Sequence, residues 1–491
     1  MLFNSYFFIA VFLPVTFLVY TLLNRHKLTK ASRIWLVLAS LFFYSYWDYR
    51  YLILILLTII VNFLIGTRIS ATFADESNSM VFRRKLFFVA GITWNLLLLM
   101  FFKYTDFFLV NINQIFSSSY NLLHIVLPLG ISFFTFTQIA YIVDCFKGEV
   151  KETGIINYSL FVTFFPHLLA GPILHHKEMM PQFDSARAKV LNHKNIAVGI
   201  FLFSIGLFKK VLIADSFAIW ANEGFDNAVY LTFFEAWAAS LSYSLQLYFD
   251  FSGYTDMALG ISMLFNIRLP INFNSPYKAV NIQDFWRRWH ITLSRFLRDY
   301  IYIPLGGNKK DEGRIYFNLM CVFLIGGFWH GAGWTFLFWG FLHGCATVVH
   351  RIWQRLGFKM NRHIAILLTF NFINITWVFF RAKDWDSALK VLKGMTGASG
   401  FILPKALEAK LAFIDPYFRI SFDEWLVNIR GDQKTFFWIL AFLAVSFTIK
   451  NSNQIVERFT PNWKYACFTA AILTAAILSL TKVTEFIYFN F

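Results

Sequence analysis

Apolar runs long enough to cross a bilayer recur from one end of this chain to the other. No other feature constrains its fold as much. Hydrocarbon offers no water to satisfy backbone N–H and C=O groups, so a spanning segment must fold as a helix or join a closed barrel. The runs Tyr6–Leu23, Ile34–Tyr46, Leu52–Ile65, Leu86–Phe102, Ile196–Ile213, Leu231–Phe249, Ile364–Phe380, Thr435–Thr448 and Ala466–Leu480 read as such helices. Several further apolar stretches are interrupted by Gly or Pro. Of the 491 residues, 57% are hydrophobic and only 15% charged, against about 25% charged in a soluble domain. The chain therefore predicts an all-α polytopic membrane protein with about 10–12 transmembrane helices and additional re-entrant or interfacial ones.

A formal charge of +16 raises the question of nucleic acid. The basic residues are scattered between apolar spans and form no polar domain or stripe, so positive-inside anchoring accounts for them and no nucleic-acid partner is expected. The start of the chain has neither a charged n-region nor a small-residue cleavage site, which predicts an uncleaved first helix. Cys145, Cys321, Cys345 and Cys467 lie far apart and predict no disulfide framework.

Loop charges predict the topology. Arg25, Lys27, Lys30 and Arg33 follow the first span and place that loop in the cytoplasm. The balanced Trp47–Tyr51 loop goes outside, and Thr67–Lys85, with Arg68, Arg83, Arg84 and Lys85, returns inside. Further on, Lys309, Lys310 and Arg314 precede one apolar stretch, and Arg351, Arg355, Lys359 and Arg362 follow it. Both flanks should be cytoplasmic, so the chain must rise and return between them with His330 near the apex. From Arg314 to His330 a helix rises about 24 Å at 1.5 Å per residue, most of a hydrocarbon core of roughly 30 Å. The balanced, Gly-punctuated loop at about 393–434 is then external and is expected to hold amphipathic helices. No internal repeat, low-complexity linker or soluble domain is evident. One membrane domain over 1–491 is expected, with N-terminal helices in 1–125, a chemical core in 126–350 and C-terminal helices in 351–491. The absence of a repeat argues against a transporter built from duplicated halves.

An ionisable residue at bilayer depth is a functional candidate by default, and His is the side chain best suited to exchange protons near neutral pH. His330 sits among Gly326, Gly327, Gly331 and Gly333, beside Trp329 and Trp334. Glycine lets membrane helices approach closely or break against a cavity. His330 is either a base for a hydroxyl in a narrow passage or a structural His bonded to a neighbouring helix. The Asp284–Tyr302 stretch alternates rings and cations, with Phe285, Trp286, Arg287, Arg288, Trp289, Arg295 and Arg298, and contains His290. Guanidiniums grip phosphates, as an acyl-coenzyme A would require, or the segment merely anchors at headgroups. Gln246, Asp250 and Tyr254 fall four apart on one helix face. Asp250 either orients a His or a substrate hydroxyl, or links helices. Leu127–Ser132 (LPLGIS) predicts a turn and a broken or re-entrant helix. His175 and His176 are expected in a solvated loop, since adjacent His side chains converge poorly on one ion and no third ligand is evident.

Together these segments resemble the membrane-bound O-acyltransferase family, in its bacterial alginate O-acetyltransferase branch. The resemblance runs over almost the whole chain, through Leu127–Asp144, Phe164–Pro172, Gly206–Asp215, Tyr248–Ala258, Asp284–Ser294, Tyr300–Gly307, Gly327–Phe336, Trp377–Ala382 and Glu485–Phe491. It implies a ring of tilted helices around a central tunnel, with His330 matching the family's catalytic histidine. His290 matches its second key position, where eukaryotic relatives carry Asn. It implies no bound cofactor or metal, with acetyl-coenzyme A as the acyl donor. Arg287, Arg288 and Trp286, with Asp250, Tyr254 and Trp329, are the donor- or substrate-binding candidates. The implied activity is transfer of acetyl across the bacterial inner membrane to O-acetylate an exported polysaccharide such as alginate, together with a periplasmic SGNH-hydrolase-like partner. Peptidoglycan, cellulose and teichoic acid are alternative acceptors, the last through D-alanyl transfer. The Gly331–Thr335 continuation and the Tyr-Ile-Pro-Leu-Gly-Gly element favour the acetyl branch over the D-alanyl one. A polysaccharide transporter whose histidines do no chemistry is the competing class.

Overall fold

The computed structural model describes residues 1–75, 77–150, 154–411, 420–480 and 486–487. They are overwhelmingly helical, and a helix stands at each of the nine apolar runs named above. Five helical segments are long and apolar enough to cross a membrane, namely Phe8–Arg25, Arg50–Ala74, Asn78–Phe116, His193–Asn227 and Arg362–Arg381. Ile131–Phe146, Gln433–Thr448 and Trp463–Leu478 are shorter apolar helices. Rows of outward Leu, Ile, Val and Phe side chains, such as Ile53, Ile60 and Leu64, suit contact with lipid rather than water. The protein is an all-α polytopic membrane protein.

The described residues group into two compact units, both discontinuous in sequence. The first draws on Met1–Leu207, Gly253–Ile271 and Arg458–Asn490, and the second on Phe208–Ser252 and Asn272–Glu457. In the first unit the expected turn at Leu127–Ser132 is present. Ile131 N–H donates to the Pro128 carbonyl at 3.1 Å, and Gly130 takes φ +72°. A Cβ at Gly130 would stand 3.1 Å from the Leu168 carbonyl in a left-handed conformation that L side chains disfavour. From this turn the Ile131–Phe146 helix runs with nearly every side chain buried. Its Gln138 donates to Thr58 at 3.0 Å and accepts from Asn62. Asn62 and Asn95 bond each other in turn. Four polar side chains thus satisfy one another, which ties three apolar helices together at low cost.

His175 and His176 also lie in this unit, and both are buried rather than solvated. His176 packs against the rings of Tyr141 and Phe161, while Nδ1 of His175 is 3.9 Å from Asp144. The expected loop is displaced because His176 opens a helix, His176–Asp184, whose Met179, Met180 and Phe183 side chains carry it into the core.

The second unit is organised by a hairpin of two helices, Glu312–His330 and Trp334–Arg355. The rise, break and return expected around His330 are all present, and His330 is the last residue of the first arm. Gly331 and Gly333 are extended, and Gly333 N–H donates to the Gly331 carbonyl at 3.0 Å. The arms cross closely at Gly327 and Gly340. A Cβ on Gly340 would run into the Phe323 carbonyl and stand 3.3 Å from the Gly327 Cα. Asn374 of the Arg362–Arg381 helix donates to Ser240 and accepts from Ser244, pinning that helix by buried polar contacts.

The 393–434 region differs from expectation. Among the described residues, Phe401–Pro404 and Ile420–Asp423 form a parallel two-stranded ladder, with the short helix Glu408–Leu411 between them in sequence. Phe401–Pro404 is apolar, with Gly400 before it and Pro404 at its end, and Ile420–Asp423 alternates apolar and polar residues, both patterns compatible with extended backbone. The amphipathic helix lies just before them, at Trp385–Met395. Most of the Glu485–Phe491 motif falls outside the described residues.

Gly340→Val should drive the hairpin arms apart, since the added atoms meet backbone that cannot step aside. The expected loss is about 1–3 kcal/mol, read as a lowered melting temperature of the purified protein in detergent, with Gly154→Val, where a Cβ would meet only the Asn157 side chain at 3.9 Å, as the comparison.

Candidate active site

The chain between Asn272 and Tyr302 folds as short pieces rather than one interfacial helix. Asn281 caps the Ile282–Trp286 turn by accepting from Asp284 N–H. A second helix, Ile291–Leu297, starts after His290. His290 itself has φ +43° and ψ +54°, a left-handed conformation uncommon for a residue with a side chain. Asn272 holds this geometry from behind. Its carbonyl accepts from Ile291 N–H at 3.0 Å, and its Oδ1 accepts from the Thr292 hydroxyl at 2.7 Å and from Thr292 N–H at 3.2 Å. Strain of this kind persists only where surroundings over-determine it, and it clusters at functional sites.

That turn sends the His290 ring inward, where it is fully buried against Phe251 at 4.9 Å between ring centres. The His330 ring is 6.4 Å away and Trp329 is 6.1 Å away. The sequence reading put the two histidines at opposite ends of a passage, with His290 at the basic face. The structure overturns this, because the left-handed turn at His290 folds its side chain back toward the hairpin apex. Aromatic edges and faces surround His330, with Trp329 at 4.9 Å, Trp339 at 5.3 Å and Phe380 at 5.1 Å.

A cavity of about 510 Å³ runs from His330 along the hairpin. The first arm contributes Leu319, Val322, Phe323, Gly326 and His330, all on one helix face. From Leu319 to His330 that face rises about 16 Å at 1.5 Å per residue. The returning arm contributes Trp339, Thr347, His350, Arg351 and Gln354. Trp286, Arg287, Ser294, Arg295, Arg298, Tyr302 and Asn308 add to the wall, with Gln283, Ile291, Leu293 and Leu297. The lining is thus apolar and aromatic beside His330 and strongly basic at the far end. Acidic side chains meet part of that charge. Arg298 pairs with Asp299 at 2.7 Å and Arg351 with Glu312 at 3.0 Å, and the Arg351 guanidinium holds the Glu312 carboxyl below the usual carboxylate range. Arg287 is exposed and makes no ion pair among the described residues.

The other candidates separate accordingly. Trp286 and Arg287 line the cavity, and Trp329 packs on both histidines. Arg288 does not line it. Its Nε bonds Asp284 at 2.8 Å and its Nη1 reaches the Asn274 carbonyl, so its guanidinium clamps the local fold. Asp250 is likewise outside. It pairs at 2.7 Å with Lys210, which also pairs at 2.8 Å with Asp215, and Lys210 and Asp250 are both buried. This geometry supports the helix-linking reading of Asp250. Tyr254 belongs to the first unit, where its hydroxyl accepts from Ala170 N–H at 3.4 Å and its ring stacks on Phe3.

Sequence reasoning did not assign His350, Gln354, Thr347 or Arg351 to the site, treating Arg351 only as a topology marker. A signal was present, since Trp339, His343, Thr347, His350, Arg351 and Gln354 recur at helical spacing in an otherwise apolar segment.

The model of the membrane-bound O-acyltransferase family matches residues 41–383. A peptidoglycan O-acetyltransferase of Helicobacter pylori is 48% identical over 100% of this chain and 98% of its own. The probable alginate O-acetylase AlgI of Pseudomonas aeruginosa is 37% identical over 80% of this chain and 75% of its own. A teichoic acid D-alanyltransferase of Bacillus subtilis is 29% identical over 52% of this chain and 69% of its own. The chain belongs to the membrane-bound O-acyltransferase family and is a multi-pass membrane acyltransferase.

Removing one member of a buried ion pair strands the other charge. Lys210→Met should therefore destabilise the protein by about 3–5 kcal/mol, with partial recovery in Lys210→Met/Asp250→Asn, as read by thermal melting. An unchanged melting temperature in Lys210→Met would show that the pair is not a structural link.

Proposed function

We propose that the chain takes acetyl from acetyl-coenzyme A at the cytoplasmic face of the bacterial inner membrane and passes it across for O-acetylation of peptidoglycan. One observation carries the reading, a cavity with a histidine in an aromatic box at one end and arginines at the other. Guanidiniums suit the coenzyme's phosphates, and the apolar middle suits an extended pantetheine arm. The arginine end adjoins the basic flanks Lys309, Lys310 and Arg355, which positive-inside logic assigns to the cytoplasm.

In this reading His330 is the general base. Its ring nitrogen takes the proton of the acceptor hydroxyl as that oxygen attacks the thioester carbonyl. The tetrahedral adduct collapses, the C–S bond breaks, and the imidazolium returns the proton to the departing thiolate. His290 does not line the cavity, so we assign it a positioning role behind His330 rather than contact with the thioester. Arg287, Arg295, Arg298 and Arg351 hold phosphates, and Arg288 is left to structure. Onward placement on the polymer falls to an SGNH-hydrolase-like partner outside the membrane, as the family resemblance implies. Peptidoglycan is preferred to alginate because the relative named for it is the more similar and matches over full length.

In cells lacking the protein, base-released acetate should disappear from purified peptidoglycan. It should return with wild type and not with His330→Ala present at equal level. Unchanged peptidoglycan acetate would refute this acceptor, and loss from another envelope polymer would name the true one. In vesicles, Arg287→Ala/Arg298→Ala should raise the KM for acetyl-coenzyme A roughly tenfold with kcat little altered, the expected cost of losing charged hydrogen bonds.

A further inference from the structure

His343 lies on the returning arm, one turn beyond Trp339, and is fully buried. It does not line the cavity, yet it holds a residue that does. The Trp286 indole Nε1–H donates to Nδ1 of His343 at 3.2 Å. An indole nitrogen can only donate, so Nδ1 is an acceptor and carries no proton. The ring proton therefore sits on Nε2, which lies 3.1 Å from the Thr376 hydroxyl. That hydroxyl accepts from the ring and donates its own proton to the Ile373 carbonyl at 2.9 Å. Every donor in the chain Trp286, His343, Thr376, Ile373 has an acceptor only if the imidazole is neutral and in this one tautomer.

The cavity wall depends on this chain. The Trp286 ring stands 5.8 Å from Trp339 and 5.3 Å from Phe323, and all three line the cavity with His330. Trp339 touches His330 on one side and His343 on the other, at 5.3 and 4.6 Å. Trp286 is also the last residue of the short Ile282–Trp286 helix, immediately before Arg287. The indole is thus the joint between the basic segment and the aromatic box.

We propose that His343 is a positioning residue of the acyl-transfer site. As a neutral Nε2–H imidazole it anchors the Trp286 indole and so sets the wall that guides the acyl group to His330. The His343–Trp286 bond stands on the geometry alone, and its kinetic consequence rests on the acyl-transfer reading above. Asparagine at 343 keeps an acceptor near the Nδ1 position, whereas leucine offers none. Glutamine, which is also polar, sets its amide near Nε2 instead.

The test uses the full-length protein in vesicles, with acetyl-coenzyme A as the probe. The indole N–H marker band is followed by ultraviolet resonance Raman as the difference between each variant and the same variant carrying Trp286→Phe. His343→Asn should keep the hydrogen-bonded band and hold KM within about twofold of wild type. His343→Leu should move the band to its unbonded position and raise KM about tenfold, more than it lowers kcat. In a Trp286→Phe background His343→Leu should add little further, because the indole that His343 anchors is already gone. Should the leucine protein fail to fold, His343→Gln gives the same contrast. Equal behaviour of the Asn and Leu variants, or a full His343→Leu effect in the Trp286→Phe background, would overturn the proposal. A wild type inert toward acetyl-coenzyme A would refute the donor reading instead, and the Raman band alone would then decide the role of His343.

Discussion

Backbone that leaves the helix inside a membrane must find its hydrogen-bond partners in protein, and that constraint shapes the second unit. The chain breaks at His330, turns through Gly331, Ala332 and Gly333, and re-enters a helix at Trp334. Gly327 and Gly340 let the arms approach so closely that a Cβ on either would run into a carbonyl of the other arm. The break is thereby sealed against its own hairpin and a shell of Trp and Phe rings. A polar ring at the end of a helix is tolerated there and is itself buried. In such surroundings electrostatic interactions gain strength and reorganisation costs little. The glycines and the aromatic box thus hold a buried histidine ring at the break between two helices.

Charge is distributed to match. The buried ions Lys210 and Asp250 are committed to each other, with half-buried Asp215 beside them, and the half-buried pair Arg288 and Asp284 serves the local fold. The arginines that line the cavity lie at its far end, where Arg287 and Arg298 reach solvent. The result is a passage whose polarity changes along its length. It is suited to a molecule with an anionic head, a neutral chain and a reactive carbonyl at the tip.

Much of this was legible in the sequence because the signals were local. Continuous apolar runs gave the helices, and sixteen residues of helix from Arg314 carried His330 to the break between the two arms. What escaped depends on contacts distant in sequence. Nothing near His290 announces that Asn272 will hold it in a left-handed turn beside His330. The pairing of Phe401–Pro404 with Ile420–Asp423 is set across a connection the helical pattern does not describe. His175 and His176 looked like loop residues because their burial comes from the helix they begin, not from their neighbours in sequence. The polar stripe on Trp334–Arg355 was visible, but its charged end also satisfied the rule for membrane sidedness and was read only that way.

The central claim is that one cavity leads an acyl thioester from the arginines to His330. A structure of the protein with a non-hydrolysable thioether analogue of acetyl-coenzyme A tests it most directly. The account predicts phosphate density among Arg287, Arg295, Arg298 and Arg351, with the ketone oxygen or methyl carbon at the tip packed against His330 and Trp339. Density for the analogue outside this cavity, or inside it with the ketone remote from His330, would contradict the account.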